Sequence, residues 1–183
     1  MGIRMISEQA RKSLDGIFIR AVQSRLALHA GDTCEVRAIS DGASHAPDGQ
    51  SMVVLTISSL HFRLLMMFHF DESPQALAYF AGDAEGKPFR EIFYETANLC
   101  CGAVNQELLK HFPDLGMSTP FTLDSRCALF LRELNPGFTA RYAIVINDSL
   151  RLSATLCLCD YASMDFSWDG SAVEDVSGEL ELF

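Results

Sequence analysis

The chain has 183 residues, 49% of them apolar, which excludes a disordered chain and is enough to build one domain with a sizeable core. Its 24 acidic residues outnumber 14 basic ones, and a formal charge of -10 argues against nucleic acid as a partner, since phosphates need a basic surface. The longest apolar runs, such as Leu64 to Phe68, are strand-sized and far short of a membrane span, and no leader peptide is visible, so the expected location is the cytoplasm.

The first predicted element is a helix over residues 5–29. Ile6, Ala10, Leu14, Ile17, Ala21 and Leu28 form its core face, and Ile19, Val22 and Leu26 a second apolar stripe on the far side. Two stripes imply either a helix sandwiched between layers or a subunit interface, and burial inside the domain is the favoured reading. A strand follows over 34–39, then a polar loop over 40–49 closing on a turn, then strands over 51–58 and 61–70. Ser73-Pro74 is a cap followed by proline, which starts a short helix that should stop near Gly82. A linker over 83–87 leads to Pro88, which opens a second long helix.

Beyond Phe112-Pro113 the pattern returns to strands, over 118–123, 126–134, 141–146 and 151–159. The turns Asn135-Pro-Gly137 and Asn147-Asp148 make the last three consecutive and antiparallel. From Ser163 onward the chain is acidic and is expected to be a solvated tail, with an edge strand over 180–183 as the alternative. The expected division is therefore a single domain over 1–162 and an acidic tail over 163–183. Segregated runs of helix and strand indicate an α+β domain with helices packed on an antiparallel sheet. The two halves are faintly alike: laying His29 on His111 also lays Ser13 on Glu95 and Gly16 on Asn98.

The six cysteines (Cys34, Cys100, Cys101, Cys127, Cys157 and Cys159) show neither a Cys-x-x-Cys pair nor the spacing of a zinc site, and read as small buried hydrophobes in a reducing compartment. Cys101 is expected at the flank of a polar helix face. The five histidines are scattered, with His61 and His69 read as strand residues.

The second long helix carries the most informative pattern. Phe89, Ile92, Phe93, Cys100, Ala103 and Val104 fall on one stripe, and Glu91, Glu95, Asn98, Gly102 and Asn105 on the opposite one. A glycine inside a helix is unfavourable by about 1 kcal/mol relative to alanine, so Gly102 calls for a reason. It either lets another backbone approach closely or relieves a crowded helix–helix contact. Glu91 favours the positive helix N-terminus, Asn105 reads as a solvated residue on the same stripe, and Pro120 shapes the entry to a strand.

The run Glu95-x-x-Asn98-x-x-x-Gly102, with Glu91 four residues before and Pro120 downstream, resembles the CheC/CheX/FliY family of chemotaxis phosphatases. Glu91 stands where the family has Asp or Ser, the proline arrives one residue early, and Ala103 follows the glycine where CheX-like chains often have Asn. CheC-like members carry the Glu/Asn pair in both halves. Here Ser13 and Gly16 hold the other pair of positions, which places the chain nearer CheX.

The resemblance implies two long helices and a short one on an antiparallel sheet of about six strands. It also implies a phosphatase acting on the aspartyl phosphate of a CheY-like receiver in chemotaxis or two-component signalling. Asn98 would orient the attacking water, Glu95 would anchor the receiver's lysine, and Glu91, Gly102 and Asn105 would line the partner contact. The protein would need no cofactor of its own, because Mg²⁺ comes with the receiver, and it could pair into a homodimer. Two other readings are a non-catalytic receiver-binding module of the flagellar-switch or adaptor type, and a redox sensor built on Cys100 or Cys101.

Overall fold

The computed structural model describes residues 6–39, 49–81 and 87–171. The expected helix start at Met5, the loop over 40–48, the linker over 83–86 and the edge strand over 180–183 lie outside the described residues. The rest forms α1 (Glu8–Leu26), β1 (Cys34–Ile39), β2 (Ser51–Ser58), β3 (Phe62–Phe70), α2 (Pro74–Ala81), α3 (Phe89–Leu109), β4 (Gly116–Met117), β5 (Phe121–Asp124), a 3₁₀ helix (Ser125–Leu134), β6 (Phe138–Ile146) and β7 (Leu150–Asp160). The architecture is the expected α+β one, with antiparallel pairing throughout a seven-stranded sheet. No helix among the described residues is long and apolar enough to cross a membrane.

Helix α1 starts where Ser7 caps it, the side chain accepting from the Ala10 N–H at 3.0 Å. Its first apolar stripe is buried (Ala10, Leu14, Ile17 and Ala21), and so is the second (Val22 and Leu26) apart from half-buried Ile19, with Phe18 fully enclosed. The helix thus packs against both the sheet and α3 inside the domain, as favoured. Leu28, expected in the core, is exposed because the helix ends two residues earlier.

Strand order is β1-β6-β7-β3-β2-β4, with β5 also on β2. This order has an internal twofold logic. The hairpin β2–β3 matches the hairpin β6–β7, and the two meet at the central β3–β7 pair. The remaining strands cross over, β1 pairing with β6 of the other half and β5 with β2. The faint likeness between halves in the sequence is therefore a repeat in the fold. On the helix side, Val53, Leu55, Ile57, Leu64, Met66, Phe68, Leu152, Leu156 and Ile144 form the main core with α1 and α3. On the reverse side, Met52, Val54, Met67 and Cys157 form a smaller cluster beneath Ala128 and Leu131 of the 3₁₀ helix.

Two expectations are corrected. Residues 126–134 form no strand. Asp124 accepts from the Arg126 N–H at 2.8 Å and caps a 3₁₀ helix, which Asn135 ends at φ 50 in the left-handed region. Ser125, Ala128 and Leu131 then recur every three residues toward the sheet, a period that an alternating strand reading overlooks. The start of the acidic tail is also not solvated. Residues 163–171 form a strap over the helices, with Met164 and Phe166 buried and Met164 bridging to Ile6. Three apolar side chains spaced two apart (Met164, Phe166, Trp168) turn inward, while Asp165 and Ser167 between them are exposed. Of the expected strand over 118–123 only residues 121–123 are strand, in β5, with β4 lying just before the range and Pro120 in the gap between them.

Candidate functional site

Helix α3 lies against α1 and the sheet together, so its buried sector is wider than one stripe. Phe89, Phe93, Cys100 and Val104 meet the core as expected, Ile92 and Ala103 only partly, and Ala97 and Leu108 join them. Thr96, Cys101 and Asn105 are buried as well. Cys101 therefore sits inside the domain, away from the polar face. Asn105, placed by spacing on the open stripe, is 9% exposed, and its side-chain oxygen has no hydrogen-bond partner among the described residues. A helix held on two sides buries residues that a single-stripe projection leaves in water.

Between Arg90, which pairs with Glu72 at 2.7 Å, and exposed Gln106, what remains open is a narrow strip: Glu91, Glu95, Asn98, Leu99 and half-exposed Gly102. Glu95 approaches Lys87 at 3.6 Å, a solvent-screened pair of little energetic weight. Asn98 has no hydrogen-bond partner among the described residues, which leaves its amide free to donate and accept. A Cβ built at Gly102 would have nothing within 4 Å. The glycine therefore relieves no crowding inside the molecule, and the bare patch it leaves faces solvent. Leu99, 54% exposed, is the residue the sequence reading passed over. The signal was there, an apolar side chain one turn after Glu95. Pro120 lies in the crossing between β4 and β5, near the Tyr94–Thr122 hydroxyl contact that ties α3 to the sheet edge.

Neither cysteine of α3 is placed for redox chemistry. Both are enclosed, and desolvation pushes the Cys101 thiol up to about 12 and Cys100 higher still. Among the described residues no group of three or more His, Cys, Asp or Glu side chains is arranged to hold a metal. A carboxylate and a free amide one turn apart can position a lysine and a water molecule, but hold no nucleophile of their own.

The matching positions on α1 are closed. Ser13 is buried, accepting from the Trp168 N–H at 3.0 Å and donating to the Phe166 carbonyl at 3.3 Å. A Cβ at Gly16 would lie 2.6 Å from the Trp168 ring. The repeat thus presents one open helix face and one covered by the strap.

No family model matches the sequence, and no curated protein matches it. Solved structures do. CheX from Vibrio vulnificus superposes with a TM-score of 0.57 at 14% identity, covering 79% of this chain and 98% of that one. FliM in a complex with SpeE from H. pylori gives 0.55 at 12% identity, over 84% and 89%. A Borrelia burgdorferi complex of CheX with CheY, BeF3 and Mg²⁺ gives 0.53 at 11% identity, over 82% and 97%. The fold is that of the CheX structures. Of the two matching positions in the repeat, those on α3, where Glu95 and Asn98 lie, are the open ones among the described residues.

Proposed function

We propose that this protein accelerates hydrolysis of the aspartyl phosphate on a CheY-like receiver domain in the cytoplasm. The observation that carries the reading is the α3 strip: an unpartnered Asn98 amide, the Glu95 carboxylate one turn before it, and open space above Gly102. An acyl phosphate is already labile, so what a second protein must add is orientation of water and of charge. In this mechanism Asn98 donates to and accepts from the attacking water, holding it in line with the phosphorus without adding charge. Glu95 exchanges its loose pairing with Lys87 for the receiver's lysine and fixes the register. Glu91 lies farther along the contact. Gly102 lets the receiver's backbone approach α3. Asn105, being buried, supports α3 from within. Mg²⁺ belongs to the receiver, as the fold relative crystallised with CheY, BeF3 and Mg²⁺ suggests.

The test is the decay rate of a phosphorylated CheY-like receiver with Mg²⁺ present. Wild-type protein should speed decay, and Asn98→Ala and Glu95→Ala should each lower the stimulated rate by about 100-fold. A second reading, a receiver-binding module without turnover, is favoured by the single surviving site and by a FliM relative found in complex with another protein. Unchanged decay of a receiver that the wild-type protein demonstrably binds would select it over the phosphatase.

A further inference from the structure

Four sulfur side chains lie together on the reverse side of the sheet, and the α3 site uses none of them. The period of two along β7 turns Cys157 and Cys159 to this same side. Cys157 stands opposite Leu65 of β3 and Cys159 opposite Arg63, while Met67 stands opposite Thr155, two residues before Cys157. On β2, Met52 stands opposite His69, one step further along. Met52, Met67, Cys157 and Cys159 therefore run as a diagonal across three neighbouring strands. The first three are enclosed, and Cys159 is half-buried at the open end of the row. Ala128 and Leu131 of the 3₁₀ helix cover it, and Cys159 Sγ donates to the Leu134 carbonyl at 3.7 Å. Burial first, and then the neighbouring Cys159 thiol, push the Cys157 thiol up to about 12, so the two sulfurs lie side by side and hold their protons. An enclosed thiol alone packs as a small apolar side chain. A second thiol beside it, at the rim and facing a guanidinium, makes a chelate.

We infer that Cys157 and Cys159 form a binding site for a soft monovalent cation of the Cu⁺ type, held between their two sulfurs. The donor set selects this ion. Thiolates in a thioether-lined pocket suit Cu⁺, whereas Mg²⁺ and Ca²⁺ require oxygen ligands. Zn²⁺ requires four ligands, and among the described residues no third His, Cys, Asp or Glu joins the pair. His69, two residues from Met67, has its ring nitrogens engaged by Ser125 and Thr155. A two-coordinate ion fits between adjacent sulfurs and needs no cavity. Binding breaks two S–H bonds and forms two Cu–S bonds, Cu⁺ + 2 RSH giving [Cu(SR)₂]⁻ + 2 H⁺, with no change in oxidation state. The complex carries one negative charge, which the Arg63 guanidinium across from Cys159 offsets. Arg63 and Leu65, the cross-strand partners of the two cysteines, also line a groove of about 510 Å³, which opens this end of the row to solvent. Because α3 packs on the opposite side of the sheet, the inference does not depend on what Glu95 and Asn98 do.

Titration of the reduced chain with Cu⁺ in anaerobic buffer, against bicinchoninate as a competing chelator, tests it. Wild type should take one Cu⁺ per chain, and X-ray absorption should show sulfur neighbours with no nitrogen or oxygen. Cys157→Ala and Cys159→Ala should each weaken binding by about 100-fold or more. Cys127→Ser, which removes the exposed thiol of the 3₁₀ helix, should leave it unchanged. Circular dichroism checks that each variant folds, and the absorption spectrum of the wild-type complex needs no variant. No Cu⁺ held against the chelator, nitrogen or oxygen bound to the copper, affinity kept in both alanine variants, or affinity lost in Cys127→Ser would overturn the inference.

Discussion

Gly102 separates the chemistry of the α3 strip from its packing. Its surroundings are open, so Gly102→Ala should raise stability by about 1 kcal/mol through helix propensity alone, seen as a higher urea midpoint. Gly102→Gln should keep most of that gain and yet depress receiver dephosphorylation, because its side chain fills the space the partner needs. Equal turnover in both variants would show that no backbone approaches there. His69 makes a second residue-scale statement. It is buried on the reverse face, with Ser125 Oγ at 3.2 Å from one ring nitrogen and Thr155 Oγ1 at 2.9 Å from the other. Burial first, and then the charge of Arg141, hold its pKa down to about 4. The unfolded chain binds this proton near pH 6.5 and the fold does not. Stability should therefore fall as pH drops from about 6.5 to about 4, with a slope approaching about 1.4 kcal/mol per unit, and be insensitive to this group above that window. Urea titrations at about pH 7 and about pH 5 should show the loss in wild type and a smaller one in His69→Gln.

At the scale of elements, the strap over 163–171 and the 3₁₀ helix are the two segments whose composition hid their structure. Arg126 to Leu134 mixes charged and apolar residues in a way that two periods fit, and the choice fell to the caps at Asp124 and Asn135 and to the cluster waiting on the sheet. In the strap, acidic residues gave the net character while three apolar ones gave the contacts. Trp168 stacks over Gly16, lies near the Arg20 guanidinium at 5.9 Å, and donates from Nε1 to Glu107 at 2.8 Å. Trp168→Ala should cost about 2 kcal/mol, the ring being half-buried, and should be read by thermal melting. A melt indistinguishable from wild type would mean that the strap is ornamental to the fold.

For the molecule as a whole, the repeat explains why one site is expected and not two. Helices α1 and α3 hold equivalent places, but the strap covers Ser13 and Gly16 while Glu95 and Asn98 face solvent. A titration of a BeF3-activated receiver should saturate at one receiver per chain, and still at one in Trp168→Ala, since uncovering a serine and a glycine supplies neither the acid nor the amide. Saturation at two per chain would show that α1 keeps a binding surface of its own. The bounds of α1, β1, β2, β3, α2, α3 and β7 were legible within a few residues, because each has a clear period bounded by a cap, a proline or a turn.

The sequence by itself determined the α+β class, the order of the long elements and the Glu95–Asn98–Gly102 run, since hydrophobic period and motif spacing are local properties. Only the tertiary structure decided which positions beside that run are open. Packing on α1 as well as the sheet took Cys101 and Asn105 inside, and the return of the chain after β7 closed the twin face on α1. Burial depends on what else covers a helix, and that is set by contacts between residues far apart in the chain, which no local pattern encodes.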